Sequence, residues 1–135
     1  MNYFTQHFAI ALLAAATLAV SGCSGAAEKA NIEGSVTLDG APLPQGVIMF
    51  QDVAQGIGGS ADISDGAFQF SASLPPGQYA VSVQPPPPPA PHEAQNAKTQ
   101  VKLPRYVQSG DTSQLTADLT AGDNQLQFDL DSKRR

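Results

Sequence analysis

Cysteine occurs once in the 135 residues, at Cys23, and tryptophan does not occur at all. A lone cysteine excludes an internal disulfide, and with so few histidines it cannot build a tetrahedral zinc site. The missing tryptophan, with Tyr106 the one aromatic expected at the surface, leaves no obvious platform on which sugar rings could stack. Basic residues are scarce too: 7 Lys and Arg stand against 12 Asp and Glu. The resulting net charge of −5 argues against a nucleic-acid partner and offers no basic patch to anionic lipid headgroups. None of these charged residues falls in residues 1–22, so that stretch and the remainder are built for different solvents.

What residues 1–22 contain is an apolar run, FAIALLAAATLAV from Phe8 to Val20, broken only by Thr17. Its length is that of a signal-peptide hydrophobic region, about 7–15 residues. As a helix it would reach about 20 Å, short of the roughly 30 Å hydrocarbon core. A buried core helix would carry a polar face, and this run has none. The preceding MNYFTQHF lacks the usual Lys or Arg. The boundary Val20-Ser21-Gly22-Cys23 resembles the lipobox of bacterial lipoproteins, an aliphatic residue, two small ones and cysteine. That resemblance implies diacylglyceryl transfer to the Cys23 thiol, cleavage between Gly22 and Cys23, and further acylation of the freed amine. Two or three acyl chains anchor stably where one does not. The competing reading is an ordinary secreted protein with an unpaired thiol at Cys23. Ser24, where enterobacterial sorting to the inner membrane favours Asp, leans toward the outer membrane.

Residues 23–30 then read as a small, polar, flexible tether. From residue 31 the rhythm becomes that of strands. NIEGSVTL places Ile32, Val36 and Leu38 on one face with Gly34 in register, and ends at the turn dipeptide Asp39-Gly40. Pro42 and Pro44 keep the next segment irregular, before VIMFQDV at residues 47–53. A short strand at 60–64 and another at 67–72 form a hairpin across Asp65-Gly66, with Phe68 and Phe70 on a shared face. Pro75-Pro76-Gly77 reverses the chain into QYAVSVQ, where Tyr79, Val81 and Val83 point inward. PPPPPAP at 85–91 is a stiff polyproline spoke of roughly 20 Å. After it, Leu103, Tyr106 and Val107 can pack as an irregular edge. QLTADLT at 114–120 and QLQFDL at 125–130 read as a last hairpin across AGDN, with Leu126, Phe128 and Leu130 inward. Residues 133–135, KRR, read as a solvated tail. Short strands punctuated by turns, with no amphipathic helix, predict an all-β sandwich.

Three segments carry a further resemblance: Gly34 to Gly40 with Pro42, Leu43 and Gly46, then Asp65-Gly66-Ala67-Phe68, then Pro76-Gly77 through Val83. Together they resemble the carboxypeptidase-regulatory-like, or transthyretin-like, domains of bacterial envelope proteins. Small lipoproteins of the planctomycete type carry such domains, and residues 115–130 are similar to their closing strand pair. The resemblance implies a seven-stranded antiparallel Greek-key sandwich over 31–132, interrupted by the proline insertion and preceded by a signal helix. Some transthyretin-related proteins are hydrolases with a histidine and arginine set, which this chain lacks.

The candidates for chemistry are few. His92, beside Glu93 in the proline-rich loop, has no rigid shell to hold it as a general base. Asp62 and Asp65 could offer calcium two oxygens, but DISDG lacks the other ligands of a calcium loop and is explained by its turn. Neither metal nor cofactor is expected. Pro85, Pro86, Pro87, Pro88 and Pro89, with Tyr106, are the candidate partner-binding residues, since a proline run fits an aromatic-lined groove. The chain is therefore expected to be a non-enzymatic, lipid-anchored envelope module that binds a protein or wall polymer or contributes surface structure. The alternative is a carrier for a small ligand, and an enclosed pocket would distinguish it.

Overall fold

Alternation builds the first strand: in Ala30–Leu38 (β1) the side chains of Ala30, Ile32 and Val36 are buried and that of Asn31 is exposed. The computed structural model describes residues 28–88 and 101–134. The elements that follow are β2 (Ala41–Pro42), β3 (Gln45–Asp52), β4 (Ile57–Ser64), β5 (Ala67–Gln69), β6 (Gly77–Gln84), β7 (Leu115–Leu119) and β8 (Gly122–Leu130). A 3-10 turn, Arg105–Gln108, and one helical turn, Gly110–Ser113, precede β7. Strand accounts for 56% of the structure, against 8% helix, so the protein is all-β.

Both Asp-Gly dipeptides form the expected tight turns. Asp39 and Gly40 have φ of 52° and 84°, and Asp65 and Gly66 have 49° and 82°. That pair of left-handed residues is the type I′ geometry whose twist suits a two-residue hairpin. The Gly-rich stretch before residue 60 is strand and not loop: β4 starts at Ile57 and pairs rung for rung with β3, from Asp52↔Ile57 to Gln45↔Ser64. In β3, where consecutive apolar residues hid the faces, Ile48 and Phe50 are the buried pair.

Hydrogen bonding runs in the order β8-β1-β5-β4-β3-β6-β7, with β2 beside the end of β1. The last pair differs from expectation. β8 does not form a hairpin with β7; it lies parallel to β1 over nine rungs, from Ala30↔Gly122 to Leu38↔Leu130. Asn124 supplies the reason. Its buried amide donates to the carbonyls of Thr120 (2.8 Å), Gly122 (3.0 Å) and Asn31 (3.2 Å), while its Oδ1 accepts from Thr120 N (2.9 Å). Those bonds fold the Thr120-Ala121 connection into an arch, and a buried amide so fully partnered resists rearrangement. Because β7 and β8 occupy opposite ends of the bonding path yet are two residues apart in the chain, the sheet must curl.

The curl encloses the core. Phe50 sits at its centre, 5.0 Å from Phe70 in an edge-to-face contact at 87°, and near Phe68, Phe128 and Tyr79 at 6.2–6.4 Å. Tyr79 buries its ring and donates its hydroxyl to the Pro75 carbonyl at 2.8 Å. Burial raises the Tyr79 phenol above its ordinary value of 10.0, and the Asp52 charge adds to the shift, so the hydroxyl remains a donor. The irregular segment after the prolines contributes Leu103 and Val107, both buried. At about 1.5–3 kcal/mol for each such side chain, their burial offsets part of the cost of ordering a segment with no ladder of its own.

Candidate functional site

Cys23 and Gly22, with the whole expected signal segment, lie outside the described residues; so do Pro89, His92 and Glu93. What is described is where the chain enters the fold. Glu28 and Lys29 are exposed, and from there the backbone is gripped: Gly122 N donates to Lys29 O at 3.0 Å, and Ala30 exchanges bonds of 2.8 and 3.1 Å with Leu74. Ala30, expected as the last residue of a tether over 23–30, is fully buried in β1 and belongs to the domain.

Strand direction divides the domain into two ends. β1 and β8 start, and β3, β5 and β7 finish, at the end where the chain enters. At the opposite end lie the Asp39-Gly40 and Asp65-Gly66 turns, the prolines that follow β6, and residues 131–134. Pro85, Pro87 and Pro88 are exposed and Pro86 is half-buried, with no regular element among them. Gln84, just before them, donates from Nε2 to Gln108 O at 3.5 Å, which seats the start of the run beside the 3-10 turn.

Tyr106 is not the free aromatic that the sequence suggests. Its ring is half-buried, its hydroxyl accepts from Asp131 N at 3.1 Å, and the Arg134 guanidinium lies 5.6 Å from the ring centroid. Arg134 also donates to Gln114 Oε1. Arg134 is thus held although it is exposed, its planar guanidinium stacked on an aromatic face, while Lys133 makes only a turn bond from its N–H to Asp131 Oδ1 at 2.8 Å. An open cleft of about 500 Å³ surrounds this cluster, lined by Arg105, Tyr106, Asp111, Thr112, Gln114 and Arg134. Among the described residues, Pro85 to Pro88 do not line it.

The docked end is held by Asp39 as well, whose Oδ1 accepts from Ser132 N at 2.9 Å. That backbone bond, then a bond with the Ser132 side chain, and more weakly Lys133, hold the Asp39 carboxyl below its ordinary value of 3.8 against a small opposing effect of burial. A carboxyl so lowered adds stability above its unfolded value, and that stability is lost as pH falls through the folded value. The Ser132 amide resonance is therefore expected to titrate with a midpoint below 3.8 in the wild type and to lose that step in Asp39→Asn, followed by NMR. A wild-type midpoint at or above the ordinary value would refute the latch.

On the outer face of β8, β1, β5 and β4 lies a second, larger groove of about 760 Å³, also open, whose walls include Glu33, Ser35, Asp62, Gln69, Gln125 and Gln127. Its floor is the parallel pair, in which Asn31 donates to Asp123 (2.9 Å), Gln125 to Glu33 (2.7 Å) and Thr37 to Asp129. These rungs fix the register of β8 from the solvent side, as cross-strand polar pairs do. Asp62 is exposed on this face and Asp65 sits in its turn. Among the described residues no three His, Cys, Asp or Glu side chains gather as metal ligands would.

The sequence reading missed Asn124, Asp39 and Arg134. The signal for Asn124 was present: a polar residue at an inward position of a strand whose neighbours on that face are Leu126, Phe128 and Leu130. Compared with protein-family models, curated proteins and solved structures, the chain matches none.

Proposed function

We propose that this protein is a non-enzymatic lipoprotein of the cell envelope, exported by residues 1–22, acylated on Cys23, and presenting its β domain to a protein or wall polymer. One observation carries the reading: an uncharged apolar run ends at Val20-Ser21-Gly22-Cys23, and after six intervening residues the chain enters a folded strand at Ala30. Lipid site, spacer and domain follow one another in the order that an anchored module requires. Ser24 favours the outer membrane over the inner.

The domain is a two-layer sandwich of the transthyretin-like kind in this reading. In support, β5, β1 and β8 form one group and β4, β3, β6 and β7 another, and β4 and β5 share only the rungs Ile63↔Phe68 and Ser64↔Ala67. Aromatic side chains of both groups converge on Phe50. A module is favoured over a small-ligand carrier because both clefts are open, whereas a carrier encloses its ligand.

Metabolic labelling with a fatty-acid analogue tests the anchor. Wild-type protein is expected to take the label and fractionate with membranes, and Cys23→Ala to take none. Label persisting on the variant, or unlabelled wild-type protein in the medium, would overturn the proposal.

A further inference from the structure

β8 stands at one end of the bonding path, and only one of its two edges is paired. Gly122 N donates to Lys29 O, and Leu130 O accepts from Asp39 N, so alternate residues from Gly122 to Leu130 turn their backbone groups to β1. Asp123, Gln125, Gln127 and Asp129 turn theirs the other way, where none finds a partner among the described residues. A row of unpaired N–H and C=O groups is a template for another strand. β8 has few of the features that usually obstruct such an edge: its rungs with β1 run without a bulge, and it contains neither proline nor lysine. β7, at the other end of the path, offers five residues against the nine of β8.

Charge selects the occupant. Asp123 and Asp129 are exposed along the free edge, and Glu33 and Asp62 lie farther across the same outer face. β1, β4, β5 and β8 contain no Lys or Arg. Lys29 and Lys133 stand beyond the two ends of the β1 and β8 pair, each close to an acid, Glu28 and Asp131. The Asp123 and Asp129 carboxylates accept from Asn31 and Thr37 through Oδ1 alone, which leaves each a second oxygen. We infer that β8 takes up an extended basic segment of a partner protein as an added antiparallel strand, the more stable of the two pairings. The inference rests on the proposed binding module and deepens it to a site and a class of partner. In antiparallel pairing the side chains opposite Asp123, Gln125, Gln127 and Asp129 share their face. A segment with Lys or Arg at alternate positions therefore meets both carboxylates while its backbone completes the ladder. A second copy of the chain fits less well: pairing β8 with β8 along its full length sets Asp123 of one copy opposite Asp129 of the other at both ends, and like charges directly opposite are destabilising.

The test uses the full chain in nonionic detergent and, as probe, a fluorescent peptide of alternating lysine and valine. Anisotropy reads binding, and amide hydrogen exchange reads the site. The peptide is expected to bind and to slow exchange at Asp123, Gln125, Gln127 and Asp129. A twin peptide methylated on its lysine backbone nitrogens keeps the charge and loses the ladder; it is expected to bind about tenfold more weakly or not at all. Asp123→Asn combined with Asp129→Asn keeps the oxygens that accept from Asn31 and Thr37, and is expected to weaken binding about threefold to tenfold with the circular dichroism spectrum unchanged. No binding, equal binding of the two peptides, or protection confined to residues outside β8 would overturn the inference. So would β8 amides that become protected with rising protein concentration and no peptide, the mark of a second copy on that edge. Fatty-acid labelling decides the anchored reading separately, because acylation of Cys23 does not depend on what β8 binds.

Discussion

Gly34→Ala is expected to unfold the protein or cost more than about 4 kcal/mol, because the new methyl group has nowhere to go. A Cβ on residue 34 would overlap the Leu126 carbonyl oxygen and lie 2.8 Å from its carbon and 2.9 Å from Phe68 Cζ. Ordinary overpacking costs roughly 1–3 kcal/mol because side chains can shift. Here the obstacle is the backbone of β8, held on either side by rungs of the parallel pair. With total stability of about 5–15 kcal/mol for a domain, such a loss is a large share. Urea unfolding of the mature chain, followed by far-UV circular dichroism since there is no tryptophan to report, measures it. An unchanged midpoint would mean that β8 does not lie against β1 in this register.

Phe50→Ala carries the second largest cost, about 3–5 kcal/mol, as expected for emptying a buried aromatic site. Phe50 is 1% exposed and meets three other phenylalanines and Tyr79. No neighbour can collapse into the void without giving up its own contacts. The edge-to-face partner Phe70 adds a separable quantity: a double-mutant cycle on Phe50 and Phe70 is expected to give a coupling of about 0.5–1.5 kcal/mol. A Phe50→Ala loss below about 1 kcal/mol would place the residue outside the core.

Much of this arrangement was legible in the sequence where one short-range rule acted alone. Alternation in QYAVSVQ placed Tyr79, Val81 and Val83 inside, and the Asp-Gly dipeptides fell at turns that require positive φ. What was not legible depended on distant partners. Two alternating runs joined by four residues look like a hairpin; the alternation turns Asn124 inward, but nothing local says that its amide will bend around Thr120 and send β8 to β1 instead. The basic residues at 133 and 134 read as solvent-seeking because the acceptor and the ring that hold Arg134 lie at Gln114 and Tyr106. The glycines before residue 60 signalled a loop, and only pairing with β3 makes them strand. For the expected anchor the balance is reversed: Cys23 and its neighbours are read from the sequence alone, and the structure adds that the chain is part of a strand from Ala30.

The parallel pairing of first strand with last has a consequence for the order in which this chain matures. β1 and β8 are separated by 92 positions, so one edge of β1, whose other edge pairs with β2 and β5, has no mate until the last residues of the chain are in place. Contacts of such long separation close late and slowly. Until then β1 presents an unpaired edge and the inward residues Ile32 and Val36, while the β3 and β4 hairpin, whose pairing is local, can already form. Closure of the domain is thus the closing step of its folding, finished only when Leu130 reaches Leu38.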